Sequence, residues 1–168
     1  KMAELSSEMS CMNENTAKNV LCSFSPDPET TCIAHNILST QYDLQIIVPA
    51  YNVEKYIAQC LESALSQKTD YSYLVTVVND GSTDRTLDII RAYGERYPDR
   101  IEVIDQQNQG LSGARNAAMK ILKGKYITFL DSDDVLVDGA VEALLRATED
   151  GTEIVQGNWY TGVELGGD

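Results

Sequence analysis

The stretch LQIIVPAYNVEKYIAQCLESAL, residues 44–65, decides the architecture. Leu44 to Pro49 form a short apolar run rich in β-branched side chains, and Val53, Ile57, Cys60, Leu61, Ala64 and Leu65 then recur at helical spacing. A strand leading straight into an amphipathic helix is the first half of a βαβ unit. The alternation continues downstream. The runs YLVTVV (73–78), IEVI (101–104), YITFL (126–130) and EIVQG (153–157) predict four more strands, expected to be parallel and buried on both faces. Between them, Leu87, Ile90 and Tyr93, then Ala114, Ala117, Ala118 and Ile121, and finally Val141, Leu144 and Leu145 mark the inner faces of three further helices. The fold class is α/β, a three-layer α/β/α sandwich with a mostly parallel sheet and right-handed crossovers.

Upstream of this pattern, residues 1–42 are polar, weakly periodic and interrupted by SPDPETT. They read as a leader, linker or extra packing element, with a short helix around TCIAHNILST, and the domain proper is expected over 43–168. The full chain of 168 residues is long enough for one domain with a substantial core. A net charge of −13 and a pI near 4.3 argue against a nucleic-acid or anionic-membrane surface, since both would repel the chain. An anionic ligand would have to be held locally. No apolar run reaches the length of a membrane span, and the first residues lack the apolar core of a signal peptide. The chain therefore reads as cytoplasmic. Cys11, Cys22, Cys32 and Cys60 match neither a zinc ligand set nor a dense disulfide framework and read as thiols, with Cys60 a small buried hydrophobe on the first helix.

In an open parallel sheet, ligands bind beyond the carboxyl ends of the strands. After the first strand stands Pro49-Ala50-Tyr51-Asn52, with neither GxGxxG nor GxxxxGK[ST], so dinucleotide and P-loop chemistry are excluded. Pro49, Ala50 and Tyr51 offer a pre-set backbone and an aromatic face suited to a flat ring. Asn52 is expected to cap the first helix, with Glu54 in its first turn. The second strand ends in NDGSTD, where Gly81 suits a turn and Ser82 or Thr83 suits the cap of the next helix. Asp80 is harder to explain structurally. A carboxylate at the end of a buried strand can accept a hydrogen bond from a nucleobase N–H. The segment GLSGARN opens the third helix with two glycines, which would let backbone N–H groups approach a phosphate. Arg115 within it suits either a diphosphate clamp or an ion pair with an aspartate of the next loop.

That loop is the acidic run Asp131-Ser132-Asp133-Asp134. Adjacent carboxylates at the end of an apolar strand repel one another unless a cation intervenes. With hard oxygen ligands and no His or Cys beside them, Mg²⁺ or Mn²⁺ is the expected ion, completed by water and substrate phosphates. A solvated acidic turn before the fourth helix is the simpler alternative.

Taken together, IIVPAYNVEKYIAQCLESALSQ, VVNDGSTDRTLDII, NQGLSGARNAAM and GKYITFLDSDD resemble the nucleotide-sugar-binding half of family 2 glycosyltransferases with the GT-A fold, over roughly Leu44 to Trp159. The resemblance implies that Pro49, Ala50 and Tyr51 lie along the base and ribose and that Asp80 contacts the base. It implies further that Asp131 and Asp133 form a DxD motif engaging ribose and metal-bridged diphosphate, with Asp133 the foremost metal ligand. The implied activity is inverting, metal-assisted transfer of a sugar from a nucleotide-diphospho-sugar, UDP favoured, to an acceptor hydroxyl on a glycan or lipid-linked glycan, in cell-envelope polysaccharide synthesis at or near the inner membrane face. The catalytic base of that family lies in a stretch matched by no residue here and is expected beyond residue 168, so the chain resembles an incomplete donor-binding half. A non-catalytic nucleotide-sugar-binding module is the alternative. A Mg²⁺-dependent phosphohydrolase with Asp131 as nucleophile fits less well, for want of a matching lysine motif.

Overall fold

A computed structural model describes residues 41–157. Four strands alternate with four helices: β1 (Tyr42–Ala50), α1 (Ile57–Leu65), β2 (Tyr73–Asp80), α2 (Thr86–Arg96), β3 (Ile101–Gln106), α3 (Gly110–Met119), β4 (Gly124–Phe129) and α4 (Ala140–Arg146). The sheet order is β3-β2-β1-β4, and every neighbouring pair is parallel. The chain steps outward from β1 to β3 through α1 and α2, then returns through α3 to enter β4 on the far side of β1. Crossovers of a single hand, taken in opposite directions along the sheet, must lie on opposite faces.

The packing obeys that requirement. Ile57, Cys60 and Leu61 of α1, Ile90 of α2, and Val141 and Leu145 of α4 join Ile46, Val48, Val75 and Val77 in one apolar cluster. Ala114 and Ala118 of α3 cover Ile47 and Val78 in a second, smaller cluster on the other face. The three layers expected from the periodicity are present. On the α3 face the buried Gln45 amide donates to Thr76 Oγ1 at 2.8 Å, while its Oε1 accepts from Lys123 N at 2.7 Å and Gly124 N at 3.2 Å. This side chain is satisfied inside the core and joins three strands' ends.

Several expectations need correction. Burial on both faces holds for β1 from Leu44 onward and for all of β2, but β3 and β4 are edge strands, β3 mostly half-buried and β4 alternating. Ile127 and Phe129 of β4 are exposed; the outer edge of β4 is unpaired among the described residues, and the Arg115 guanidinium covers Phe129 only in part. The predicted strand at 153–157 is irregular backbone, and Ile154 is 87% exposed. Beside it the Tyr126 hydroxyl of β4 donates to Thr152 O at 3.4 Å, and residues 153–155 face β4 across a shallow cavity with no ladder to hold them extended. The first helix begins at Ile57, four residues after Val53, and Ile121 falls beyond the end of α3. The short helix expected near residue 35 and all of residues 158–168 lie outside the described residues.

Candidate functional site

The carboxyl ends of β1, β2 and β4, with the start of α3, enclose a cleft of about 480 Å³. Pro49, Ala50 and Tyr51 line one side, Asp80 the floor of β2, Asn108, Gly110 and Leu111 the approach to α3, and Asp131, Ser132 and Asp133 the end of β4. The strand ends expected to carry chemistry are thus brought to one cavity. It opens where the strand order reverses, as in other open parallel sheets.

The loops after β1 and β2 are locked to each other. Asn52 N–H donates to Ser82 Oγ at 3.1 Å, Asn52 Oδ1 accepts from Thr83 N at 2.8 Å, and Val53 N–H donates to Thr86 Oγ1 at 2.8 Å. Glu54 N–H donates to Asp84 Oδ2 at 3.2 Å, and Glu54 Oε2 accepts from Arg85 N at 3.0 Å. Asn52 is therefore not the cap of α1, and Glu54 lies before its first turn, which begins at Ile57; their side chains bind the turn after β2 instead. Likewise Ser82 and Thr83 do not cap α2. Asp84 does that work, accepting from Thr86 N at 3.0 Å. Partial desolvation tends to raise the Asp84 pKa, but hydrogen bonds from Thr86 and Glu54 outweigh it and hold the carboxyl below its ordinary 3.8. The latch is accordingly complete above that value and loosens as the pH falls through the lowered one.

Asn52 itself has φ +53°, a left-handed backbone that asparagine tolerates better than most residues. Asn52→Ala is expected to destabilise the chain by about 2 kcal/mol, through lost hydrogen bonds and backbone strain together. Asn52→Gly, which relieves the strain alone, is expected to recover about half of that loss in the same denaturant titration. Gly81 meets a related demand. Its φ is +71°, and a Cβ there would sit 2.7 Å from the backbone nitrogen of Asn108.

Asp80 is 3% exposed. Its Oδ1 accepts from Gln106 Nε2 at 2.6 Å and from Gln109 N at 2.9 Å, leaving Oδ2 without a partner among the described residues. A buried carboxylate held by two donors on one oxygen presents the other as a fixed acceptor. Gln106, Asn108 and Gln109 were not singled out individually from sequence; Gln106 ends β3, and Asn108 and Gln109 enter only as the first residues of NQGLSGARNAAM.

At the opposite wall, Arg115 donates to Asp131 Oδ1 at 2.8 Å, and its guanidinium lies 5.1 Å from the centre of the Phe129 ring. Of the two roles open to Arg115, the ion pair is the one observed; the residue stands behind Asp131 and is not part of the cleft wall. Asp134 N–H donates to Asp131 O at 2.9 Å, closing the acidic run into a turn. Partial desolvation first, and then the charges of Asp133 and Asp131, push the Asp134 carboxyl upward from its ordinary value. Asp133 has no cationic partner among the described residues. No three His, Cys, Asp or Glu side chains converge there as a ready-made metal cage. Two carboxylates on one cleft nevertheless fit Mg²⁺ or Mn²⁺, which take few protein ligands and fill the remaining positions with water and phosphate oxygens.

Parallel α/β layers with a cleft at the strands' carboxyl ends are the arrangement of many nucleotide-binding open-sheet folds, the GT-A fold among them. Residues 45–165 match the family described as "Glycosyl transferase family 2", and the chain belongs to that family. It is 42% identical to the glycosyltransferase GlyA of Streptococcus pneumoniae over 70% of its length, and 39% identical to the minor teichoic acid biosynthesis protein GgaB of Bacillus subtilis over 66%. These alignments span 17% and 12% of the two relatives, so the chain corresponds to a small part of each. Among solved structures, S. aureus TarS 1-349 in complex with UDP-GlcNAc is 32% identical, with a TM-score of 0.56 over 64% of this chain and 31% of that one. The mannosyltransferase PcManGT of Pyrobaculum calidifontis shares the fold at 20% identity, with a TM-score of 0.60 over 83% of this chain and 45% of its own. No helix among the described residues is long and apolar enough to cross a membrane.

Proposed function

We propose that this chain forms the donor-binding part of an inverting glycosyltransferase that takes its sugar from a nucleotide-diphospho-sugar, with UDP as the favoured nucleotide. The observation that carries the reading is the shared cleft: Asp80 and the pair Asp131 and Asp133 line one cavity with Pro49, Ala50 and Tyr51 between them. The UDP-GlcNAc complex of TarS supports UDP, and the minor teichoic acid biosynthesis protein and the chondroitin synthase among the relatives support a cell-envelope glycan or lipid-linked glycan as acceptor.

In this reading Asp80 Oδ2 accepts the imide N–H of the base, and the Tyr51 ring flanks it. Asp133 and Asp131 would hold Mg²⁺ or Mn²⁺ together with the diphosphate, Asp133 as the principal ligand and Asp131 shared with the ribose. The cation, when bound, neutralises charge on the departing nucleoside diphosphate. Arg115 keeps Asp131 oriented and partly neutralised until the ligand arrives. The base that deprotonates the acceptor hydroxyl belongs to the further length that the relatives possess and this alignment does not reach.

A thermal-shift screen of UDP, dTDP, GDP and ADP, each with Mn²⁺, tests the assignment. A ligand at a hundred times its Kd stabilises the native state by about 2.7 kcal/mol, enough to raise Tm by several degrees. UDP is expected to give the largest rise; no rise with any of the four would contradict the reading.

A further inference from the structure

The acidic turn is held from below by a helix that never reaches the cleft. Cys60, Ser63 and Gln67 follow one another at spacings of three and four along α1 and just past its end, so they share a face. Each touches the backbone of the connection between β4 and α4. Cys60 Sγ donates to Asp131 O at 3.7 Å, and Ser63 Oγ accepts from Leu136 N at 3.0 Å. Gln67 Nε2 donates to Val137 O at 2.9 Å and to Ser63 O at 3.0 Å, while Gln67 Oε1 accepts from Val141 N at 3.3 Å. Gln67 is 7% exposed and Cys60 fully buried. On its other side the connection is tied to β1, where Leu130 N–H donates to Ile47 O at 3.0 Å.

Residues 130–139 have no repeating structure of their own before α4 begins, and a segment without a ladder takes its shape from whatever satisfies its backbone. Here that is a column of side chains from a helix some seventy positions earlier. The thiol of Cys60 is suited to the innermost place. Burial, and then the nearby charges of Asp134, Asp133 and Asp131, push its pKa up to about 12, so it stays a neutral donor. None of these three side chains lines the cleft.

We propose that Ser63 and Gln67 are positioning residues for Asp131 and Asp133: by fixing the backbone at Leu136, Val137 and Val141, they set the spacing at which the two carboxylates meet a metal-bridged diphosphate. The inference rests on the nucleotide-sugar reading above. Groups that orient metal ligands from outside the coordination sphere typically change metal affinity by about 10–100-fold when removed.

Gln67→Met keeps length and apolar volume while deleting every hydrogen bond of the amide, and Ser63→Ala removes the single acceptor of Leu136 N–H. Two measurements on the 168-residue chain decide the matter. Without ligand, amide exchange followed by NMR is expected to accelerate about tenfold or more at Val141 in Gln67→Met and at Leu136 in Ser63→Ala, with Val77 and Val78 in central β2 unchanged. With ligand, the gain in UDP affinity produced by Mn²⁺ is expected to fall by about tenfold in Gln67→Met, with UDP affinity in EDTA held within about twofold. Unchanged exchange at Leu136 and Val141 would overturn the proposal. So would freed amides accompanied by an undiminished Mn²⁺ gain, or a loss spread evenly to Val77 and Val78. Should Gln67→Met fail to fold, Ser63→Ala carries both measurements. Should the unsubstituted chain show no Mn²⁺ gain, the metal-diphosphate reading falls, and the exchange contrast alone decides whether α1 holds the turn.

Discussion

Asp133→Asn is expected to lower the amount of Mn²⁺ retained with UDP by about 10–100-fold in affinity, or about 1.4–2.8 kcal/mol, while leaving the fold intact. Its carboxylate lines the cleft, is exposed, and has no cationic partner among the described residues, so it contributes little to folding and is available to an ion. Asp131 differs. Arg115 already occupies its Oδ1, and with the two side chains 33% and 52% exposed the pair is worth less than about 1 kcal/mol of stability. Asp131→Asn should therefore weaken the ion less than Asp133→Asn, because Arg115 already occupies and partly neutralises the Asp131 carboxylate, so less negative charge is lost to the ion there. Free Mn²⁺ counted by electron paramagnetic resonance, after subtraction of the ion bound by UDP alone, ranks the two variants. The reverse ranking would reassign the principal ligand to Asp131.

Asp80→Asn is expected to weaken UDP in EDTA by about 10–150-fold, the equivalent of about 1.5–3 kcal/mol for a hydrogen bond to a charged acceptor. The substitution is chosen because an asparagine oxygen still accepts from Gln106 Nε2 and Gln109 N, whereas alanine would strand both donors. Its new NH₂ would then face the position of the base N–H, donor against donor. A Tm close to that of the unsubstituted chain, combined with the affinity loss, separates base recognition from structural support. Retained affinity would assign Asp80 to holding the loop after β3 and nothing more.

These contrasts also explain which features could be read directly from the amino-acid order. The central strands were legible because Ile46 to Val48 and Val75 to Val78 are apolar on both faces, and the helices because their stripes are amphipathic. The edges were not. IEVI and YITFL have the composition of central strands, and their place in the sheet follows from the direction of crossovers, which no local window contains. EIVQG is irregular beside the unpaired edge of β4, since β propensity is a context-dependent preference and does not by itself form a ladder.

At the site, Asp80 stood out because a carboxylate ending a buried strand has no cheap structural explanation, and the run from Asp131 to Asp134 because its charges crowd. Asn52 was misread as a cap because its true partner, Thr83, lies 31 positions away. Local capping rules score only the nearest helix. Gln67, Gln106 and Gln109 were not singled out individually, because no local pattern marks their partners. Each derives its role from a contact across the fold.

The claim beneath all of this is that one cleft grips a nucleoside diphosphate through Asp80 at the base and a divalent ion at Asp133. Calorimetric titration of UDP into the unsubstituted chain, with Mn²⁺ and again in EDTA, tests it most directly. The account predicts binding in both conditions and at least about tenfold tighter binding with the ion, roughly 1.4 kcal/mol. Equal affinity in the two titrations, or no heat in either, would contradict it.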